Sequence, residues 1–379
     1  MNSITPKKGL NILIAPDKFK GSLGAVEVAA ALARGIKKAN AAHEIMTQPM
    51  ADGGDGSIDL LAQLGQLTKH TLQVSDPLFR PVEAAYYSQN DTAFIEMAKA
   101  SGLALLTTEE RNCLETTSLG TGEMMADAIK RGFRKINLFI GGSATNDAAL
   151  GIAQALGYRF LDKNAQALTP IGGHLEQVVT LHQEEVSKVG QGVEFQVICD
   201  VNNPFFGEQG AAWVYGPQKG ANLSQVKQLD NGLRNIHRVF IEAGLTDVQT
   251  LPGTGAAGGV GGGMVALFGA KLISGIQLFI DWFGLEAKVK QADVVITGEG
   301  QLDEQSLQGK VVGGIGKLCD QYQKPLVVIC GQNTLSKTMV KQAQIHQVKA
   351  VMEYTSVVEE AMANAAEFLE KIGEEVVLE

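Results

Sequence analysis

Apolar runs with no polar alternation, each leading into an acidic or glycine-bearing loop and then a stretch of helical spacing, recur at both ends of the chain. Residues 10–15 predict a strand broken by Pro16, and 22–38 carry Leu23, Val26, Ala30, Ala33 and Ile36 at the spacing of a helix. A strand over 44–48, a loop over 49–56 and a helix over 57–64 repeat the arrangement. From 294 the alternation returns, with strands over 294–297, 326–330 and 348–352 and helices over 310–321, 335–344 and 357–372. Ser356 and Glu359 have the spacing of a capping box for the last of these. Strands that lack alternation are covered on both faces, so the two ends predict one doubly wound parallel sheet.

The middle reads differently. Residues 67–96 have a mixed, strand-like period with a turn at 76–82. A helix over 117–131 and a strand over 136–140 follow, and the strand runs into the loop 141–147 and a small-residue helix over 147–156. A strand over 193–199 and a helix over 222–243 come next, the helix capped by Asn222 with Gln225 as its partner. Residues 253–263 hold seven glycines in eleven and open a small-residue helix. These contrasts predict two α/β domains. One is a doubly wound sheet from 1–75 and 290–379, the other an inserted mixed domain over 76–289, with an active site in the cleft between them.

The stretch 293–310 concentrates the polar chemistry. The strand Val294, Val295, Ile296 is expected to stop at a loop where Gly298 and Gly300 turn the backbone. Glu299 and Asp303 would then enter the crevice at the carboxyl end of the sheet, where ligands of such folds bind.

Composition narrows the classes of function. The 379 residues exceed what one hydrophobic core accommodates. A net charge of -9 argues against nucleic acid or an anionic membrane surface as the main partner. Cys113, Cys199, Cys319 and Cys330 have no CxxC spacing, which suits a reducing compartment. The polar N-terminus and the lack of any apolar run of about 18 residues predict a cytoplasmic, soluble protein. The 44 glycines are clustered, which points to tight loops approaching ligands.

Gly253, Gly255 and Gly258 have G-x-G-x-x-G spacing, but no convincing strand precedes them, which weakens a dinucleotide reading. The tract suits a phosphate-cradling loop ahead of a helix or, alternatively, close packing through small residues. No G-x-x-x-x-G-K-[ST] occurs, the protein-kinase signatures are absent, and the six histidines lack zinc-site spacing. Oxygen ligands remain: Asp17, Asp52, Asp55, Asp147, Asp200, Glu299 and Asp303 all stand in loop-like segments and suit Mg²⁺. Lys20, Lys219, Lys310 and Arg80 are the matching cations, and together these groups fit phosphoryl transfer.

Ten motifs carry a family resemblance: IAPDKFKGSLGA, PMADGGDGS, DPLFRPV, FIEMAKASGL, TTSLGTGE, GGSATNDAALG, CDVNNPFFGEQGAA, GPQKGA, GTGAAGG and ITGEGQLDEQSLQGK. In this order, over nearly the whole chain, they resemble the bacterial glycerate kinase family 1. The resemblance implies ATP-dependent phosphorylation of D-glycerate with Mg²⁺ to 2-phosphoglycerate, and a flavodoxin-like domain built from both chain ends. Lys18, Asp55, Ser57 and Gln301 depart from the residues usual in that family, and Ala148 and Ala149 stand where a glycine pair is common.

On this reading the catalytic candidates are Asp52, Asp200 and Lys20, with Asp52 or Asp200 as base or metal ligand. Arg80 and the loop residues Ser143, Thr145 and Asn146 are candidates for holding substrate. Gly255, Gly258, Gly259 and Lys310 are candidates for nucleotide phosphate, and Glu299 and Asp303 for metal; the return of the chain into its first domain is expected to set Glu299, Asp303 and Lys310 opposite the loops 17–20 and 52–56. Rival readings are a kinase that yields 3-phosphoglycerate or acts on a related hydroxy acid, a nucleotide-sensing regulator and a nicotinamide-dependent oxidoreductase.

Overall fold

The structure is a computed structural model that describes residues 9–376 apart from 55, 66, 183–191 and 308. Asp55, one of the carboxylates singled out above, lies outside the described residues. The chain opens with β1 (Asn11–Ile14), the helix Ala25–Ala39 and β2 (Glu44–Thr47). β3 (Thr68–Ser75), β4 (Pro81–Gln89), β5 (Thr92–Glu96) and β6 (Lys135–Phe139) follow, then β7 (Arg159–Leu161), β8 (Thr180–His182), β9 (Glu194–Ile198) and β10 (Lys271–Ile273). It returns with β11 (Val294–Leu302), β12 (Leu326–Asn333) and β13 (Gln347–Ala350).

Two compact units result, Met1–Asp52 with Ser274–Glu379 and the intervening Gly53–Ile273. The divisions therefore fall before residue 75 and before residue 290, where the sequence placed them. β3 pairs along its whole length with β4, from Thr68 against Ser88 to Ser75 against Pro81, and this draws the segment from 53 onward into the inserted unit. On the other side, the helix Leu285–Gln291 belongs with the first unit, where the Lys288 ammonium hydrogen-bonds the Gln48 side chain.

The first unit holds a five-stranded parallel sheet in the order β13-β12-β11-β1-β2. Ile12, Ile14, Val294, Ile296, Val327 and Ile329 pack from one face onto the helices Ala25–Ala39 and Ala365–Glu375. The alternate positions Leu13, Val295 and Val328 are equally buried, so this sheet is covered on both faces, as its unbroken apolar runs require. The two helices approach so closely that a side chain at Gly35 would overlap the Glu370 carbonyl oxygen.

The inserted unit holds a six-stranded mixed sheet in the order β10-β9-β6-β5-β4-β3, in which β3, β4 and β5 run antiparallel and β5, β6, β9 and β10 parallel. The helix Leu223–Glu242 forms its capping box as predicted: Asn222 Oδ1 accepts from the Gln225 N–H at 3.0 Å, and Gln225 Oε1 accepts from the Asn222 N–H at 2.9 Å. Among the described residues no helix is long and apolar enough to cross a membrane.

Three local expectations fail. β11 does not stop at Thr297 but pairs with β12 through Leu302, so Gly298 and Gly300 are strand residues rather than turns. Glycine is required at 298 because a side chain there would overlap the Ile329 carbonyl oxygen of β12. The capping box at Ser356 and Glu359 is absent: Val357 occupies the N-cap, and its N–H donates to Thr355 Oγ1 at 3.2 Å. The long final helix is two helices, Val358–Ala363 and Ala365–Glu375, interrupted at Asn364.

Candidate active site

Strand order creates the first site. After β1 the chain crosses to β2 on one side, and after β11 it crosses to β12 on the other, so the connections diverge between these two adjacent strands. Such a switch point leaves an open crevice at the carboxyl ends of the strands. The strand ends there are tied together: the Ala15 N–H donates to the Ile296 carbonyl at 2.7 Å, Thr297 Oγ1 donates to the Ala15 carbonyl at 2.8 Å, and the Asp17 N–H donates to the Gly298 carbonyl at 2.8 Å.

This brings Asp17 beside Glu299, with Asp52 acting on both. Burial pushes the partly buried Asp17 carboxyl up to about 7, the Asp52 charge adds to the shift, and the Lys18 N–H, which donates to Asp17 Oδ1 at 2.7 Å, opposes it. Burial likewise pushes Glu299 up to about 7; Ser306 and Lys310 oppose the shift, while Asp303 and Asp52 add to it. Glu299 Oε1 is buried and has no hydrogen-bond partner. The Lys20 backbone runs against Gly300, 3.3 Å from where a Cβ would stand, so the segment that carries Lys18 and Lys20 lies beside Glu299 and Gln301, with the Lys20 side chain exposed. Lys310 immediately precedes the helix Val311–Gln321.

Asp303 has a different occupation. Its N–H donates to Ser306 Oγ at 2.9 Å, and its Oδ1 accepts from the Ser306 N–H at 3.0 Å and the Ser306 hydroxyl at 3.1 Å. Against a burial penalty, those Ser306 donors hold the Asp303 carboxyl below its usual range. The group expected to bind metal thus also closes a turn.

A divalent cation fits this cluster in one respect. A buried carboxylate oxygen without a donor, at Glu299, is the kind of atom a cation satisfies. Among the described residues no three His, Cys, Asp or Glu side chains converge to hold a metal by themselves. Mg²⁺ is ordinarily held by one or two carboxylates and completed by water and phosphate.

The remaining candidates fall in the inserted unit. β6 delivers the loop with Ser143, Thr145 and Asn146, of which only Ser143 keeps any exposure, 7 %. Thr145 Oγ1 donates to the Thr116 carbonyl at 3.2 Å and so serves the fold. Both amide atoms of Asn146 are buried without a partner, as is Asp147 Oδ1. Asp147 Oδ2 is fully used, accepting from the Ser118 N–H and hydroxyl, each at 2.7 Å, and the Gly151 N–H at 3.3 Å. Burial raises the Asp147 carboxyl, with the Ser118 donors opposing. Ala148 and Ala149 both adopt left-handed backbone, with φ of 51° and 64°, which explains why glycines suit these positions.

The glycine tract faces this loop. Ala257, Gly258 and Gly259 have φ of 54°, 70° and 84° within the helix Ala256–Phe268, and the Gly258 carbonyl accepts from the Ala148 N–H at 3.2 Å. A side chain at Gly258 would overlap the Thr145 carbonyl, and one at Gly255 the Pro204 carbonyl. One at Gly259 would press on Leu233 and Phe205. Each of these glycines therefore has a packing reason of the kind the small-residue alternative described.

Arg80 is exposed, and its guanidinium is engaged by Asp76 Oδ2 and Glu110 Oε1, each at 2.6 Å. Asp200 lies exposed just beyond β9.

Two residues gain an importance that spacing did not reveal. The loop 17–20 was expected opposite Glu299, but Asp17 looked like one loop carboxylate among seven; the pairing of β1 with β11 sets it in particular against Glu299. Lys219 is 2 % exposed, and its ammonium donates to Ser143 Oγ at 2.8 Å and the Thr145 carbonyl at 2.7 Å. Burial lowers it to about 8, with Cys113 and Asp147 opposing. Its flanking glycines in GPQKGA are the one local hint, since a lysine is seldom buried.

Comparison with known proteins shows the family. Residues 12–378 match the Glycerate kinase family. The chain is 39 % identical to a glycerate kinase of Halalkalibacterium halodurans over 369 residues, covering 96 % of this chain and 97 % of the relative. It is also 39 % identical to the glycerate 2-kinase of Escherichia coli over 361 residues, covering 94 % of each. A crystal structure assigned to glycerate kinase 2 from Salmonella typhimurium LT2 superposes with a TM-score of 0.84 at 35 % identity, covering 97 % of both chains. The chain is therefore an enzyme, a kinase, and belongs to the glycerate kinase family.

Proposed function

We propose that this kinase transfers the γ-phosphoryl group of ATP to the 2-hydroxyl of D-glycerate, giving 2-phosphoglycerate and ADP. The observation that carries the reading is the pair Asp17 and Glu299, two carboxyls with values near 7 at the switch point of the sheet. A value near working pH suits a group that takes a proton from an attacking hydroxyl. Asp17 accepts that proton as the hydroxyl oxygen forms its bond to the γ-phosphorus and the bond to the β,γ-bridging oxygen breaks. The Asp52 charge poises Asp17 for this role, which makes Asp52 a positioning group.

Mg²⁺, held by Glu299 with Asp17 and Asp52 nearby, would supply positive charge to the phosphate oxygens. Lys310, ahead of its helix, and Lys20 add cationic charge for the same oxygens.

Asp17→Asn tests the reading. It should lower kcat by about 10²- to 10⁴-fold, with the KM for ATP little changed. A variant with near-native kcat removes Asp17 from the chemistry. Phosphorus NMR of the product separates 2-phosphoglycerate from 3-phosphoglycerate, and a 3-phosphate signal overturns the regiochemistry.

A further inference from the structure

The helix Val311–Gln321 carries three glycines, residues that weaken a helix interior, and two of them have a visible reason. A side chain at Gly313 would press on the Leu307 carbonyl oxygen, 2.6 Å from where its Cβ would stand, and one at Gly314 would overlap the Ile276 side chain at 2.4 Å. Gly316 has no such reason: the nearest atom to its missing Cβ is Leu326 Cδ2 at 3.6 Å, an ordinary contact. It lines instead a cavity of about 370 Å³, within the size range of small-molecule sites.

The cavity lies between this helix and the helix Lys337–Gln342. Val312, Leu326, Met339 and Ile345 form its apolar wall. Val312, Gly316 and Asp320 follow one another at four-residue spacing on one face of the helix, so the absent side chain leaves a notch in the middle of that face. Gln342 and Gln344 stand exposed on the rim, with amides that both donate and accept. A slot with apolar walls and amides at its edge matches a planar heteroaromatic base, whose faces are apolar and whose edge carries donors and acceptors.

Leu307 and Val312 carry the cavity up to the start of the helix, where Lys310 immediately precedes the free N–H groups of the first turn. Lys310 is close enough to act on the charges of both Glu299 and Asp303. Gly316 lies six residues further on, a rise of about 9 Å along the helix. One ligand with a base at the notch and a chain of phosphates can therefore reach Lys310 and the neighbourhood of Glu299 Oε1, a buried oxygen with no hydrogen-bond partner. Asp320 sits at the other end of the helix, away from where the phosphate charge would gather.

We propose that this cavity receives the adenine base and ribose of ATP, with the base in the notch at Gly316 and the phosphates running past the start of the helix to Lys310. The inference rests on ATP being the phosphoryl donor, as proposed above. Every residue it uses belongs to the first unit.

The test is steady-state kinetics of Gly316→Leu beside the unmodified enzyme, with calorimetry of both ligand-free proteins. Leucine fills the notch, so the KM for ATP should rise at least about tenfold while that for D-glycerate stays within about twofold. The Tm should hold or rise, because leucine is the better helix former and its Cβ meets no close neighbour. An unchanged KM for ATP in an enzyme that consumes ATP overturns the inference and leaves ATP as the donor. A fall in Tm with both KM values raised makes Gly316 a packing position and overturns it as well. If the unmodified enzyme does not consume ATP with D-glycerate, the donor reading itself fails and the cavity loses its occupant with it. Photolabelling of the unmodified enzyme with 2-azido-ATP needs no variant to fold. Label that excess ATP prevents should lie in tryptic peptides between residues 311 and 349. Protected label confined to peptides outside that span overturns the proposal.

Discussion

Glu299→Gln should make the metal-free protein more stable at pH 8. Glu299 is 8 % exposed, and burial raises its carboxyl from 4.5 to about 7. A raised carboxyl leaves stability intact below the unfolded value and removes it as pH climbs through the folded one, because the unfolded chain then loses its proton first. The shift of about 2.5 pH units corresponds to a penalty of about 3 kcal/mol at pH 8 and under about 1 kcal/mol at pH 5. Glutamine has nearly the same shape and carries no charge to desolvate, and it leaves one buried polar atom unpartnered just as Glu299 Oε1 is. For a unit of this size, about 3 kcal/mol is roughly 6–12 °C in Tm. Calorimetry with a chelator at pH 8 and pH 5 should show the variant's gain in the first unit's transition at pH 8 and little gain at pH 5. Added Mg²⁺ should then raise the Tm of the native protein more than that of the variant. A variant no more stable than the native protein at pH 8 would refute the claim that Glu299 carries a desolvation penalty.

Ala148 and Ala153 are both buried, but Ala148 has left-handed backbone and Ala153 lies in the helix Leu150–Ala155. Relief of left-handed strain, about 1–2 kcal/mol, should offset the chain entropy and lost methyl burial of Ala148→Gly, whereas Ala153→Gly should cost about 1–2 kcal/mol. Denaturant midpoints would compare the two, and an equal loss at both positions counts against strain at Ala148. Arg80→Ala should leave the KM for D-glycerate within about twofold, since the guanidinium is occupied by Asp76 and Glu110. A tenfold rise in steady-state assays would return Arg80 to the substrate site.

Strand and helix order at both chain ends was legible because a strand buried on both faces must be apolar throughout, and Val294, Val295 and Ile296 declare that directly. The Asn222 cap was legible for a similar reason: its partner Gln225 is three residues away, and the interaction is complete within one turn of chain. The length of β11 was not legible. Glycines at 298 and 300 signal a turn and a close approach equally well, and only the neighbouring carbonyl of Ile329 in β12 decides between them.

The same division runs through the site. Local sequence determines which elements form and where polar residues follow strands, because hydrophobic period and turn chemistry act over a few residues. The return of the chain into its first sheet already set Glu299 opposite the loop 17–20; tertiary structure decides that Asp17 is the carboxylate that meets it, some 280 residues away along the chain, and that burial pushes both carboxyls up to about 7. It alone buries Lys219, one of the four cations singled out, with its ammonium on Ser143 Oγ and the Thr145 carbonyl. Desolvation and charge coupling depend on what surrounds a group in space, and that surrounding is assembled from strands and loops that no sequence window contains.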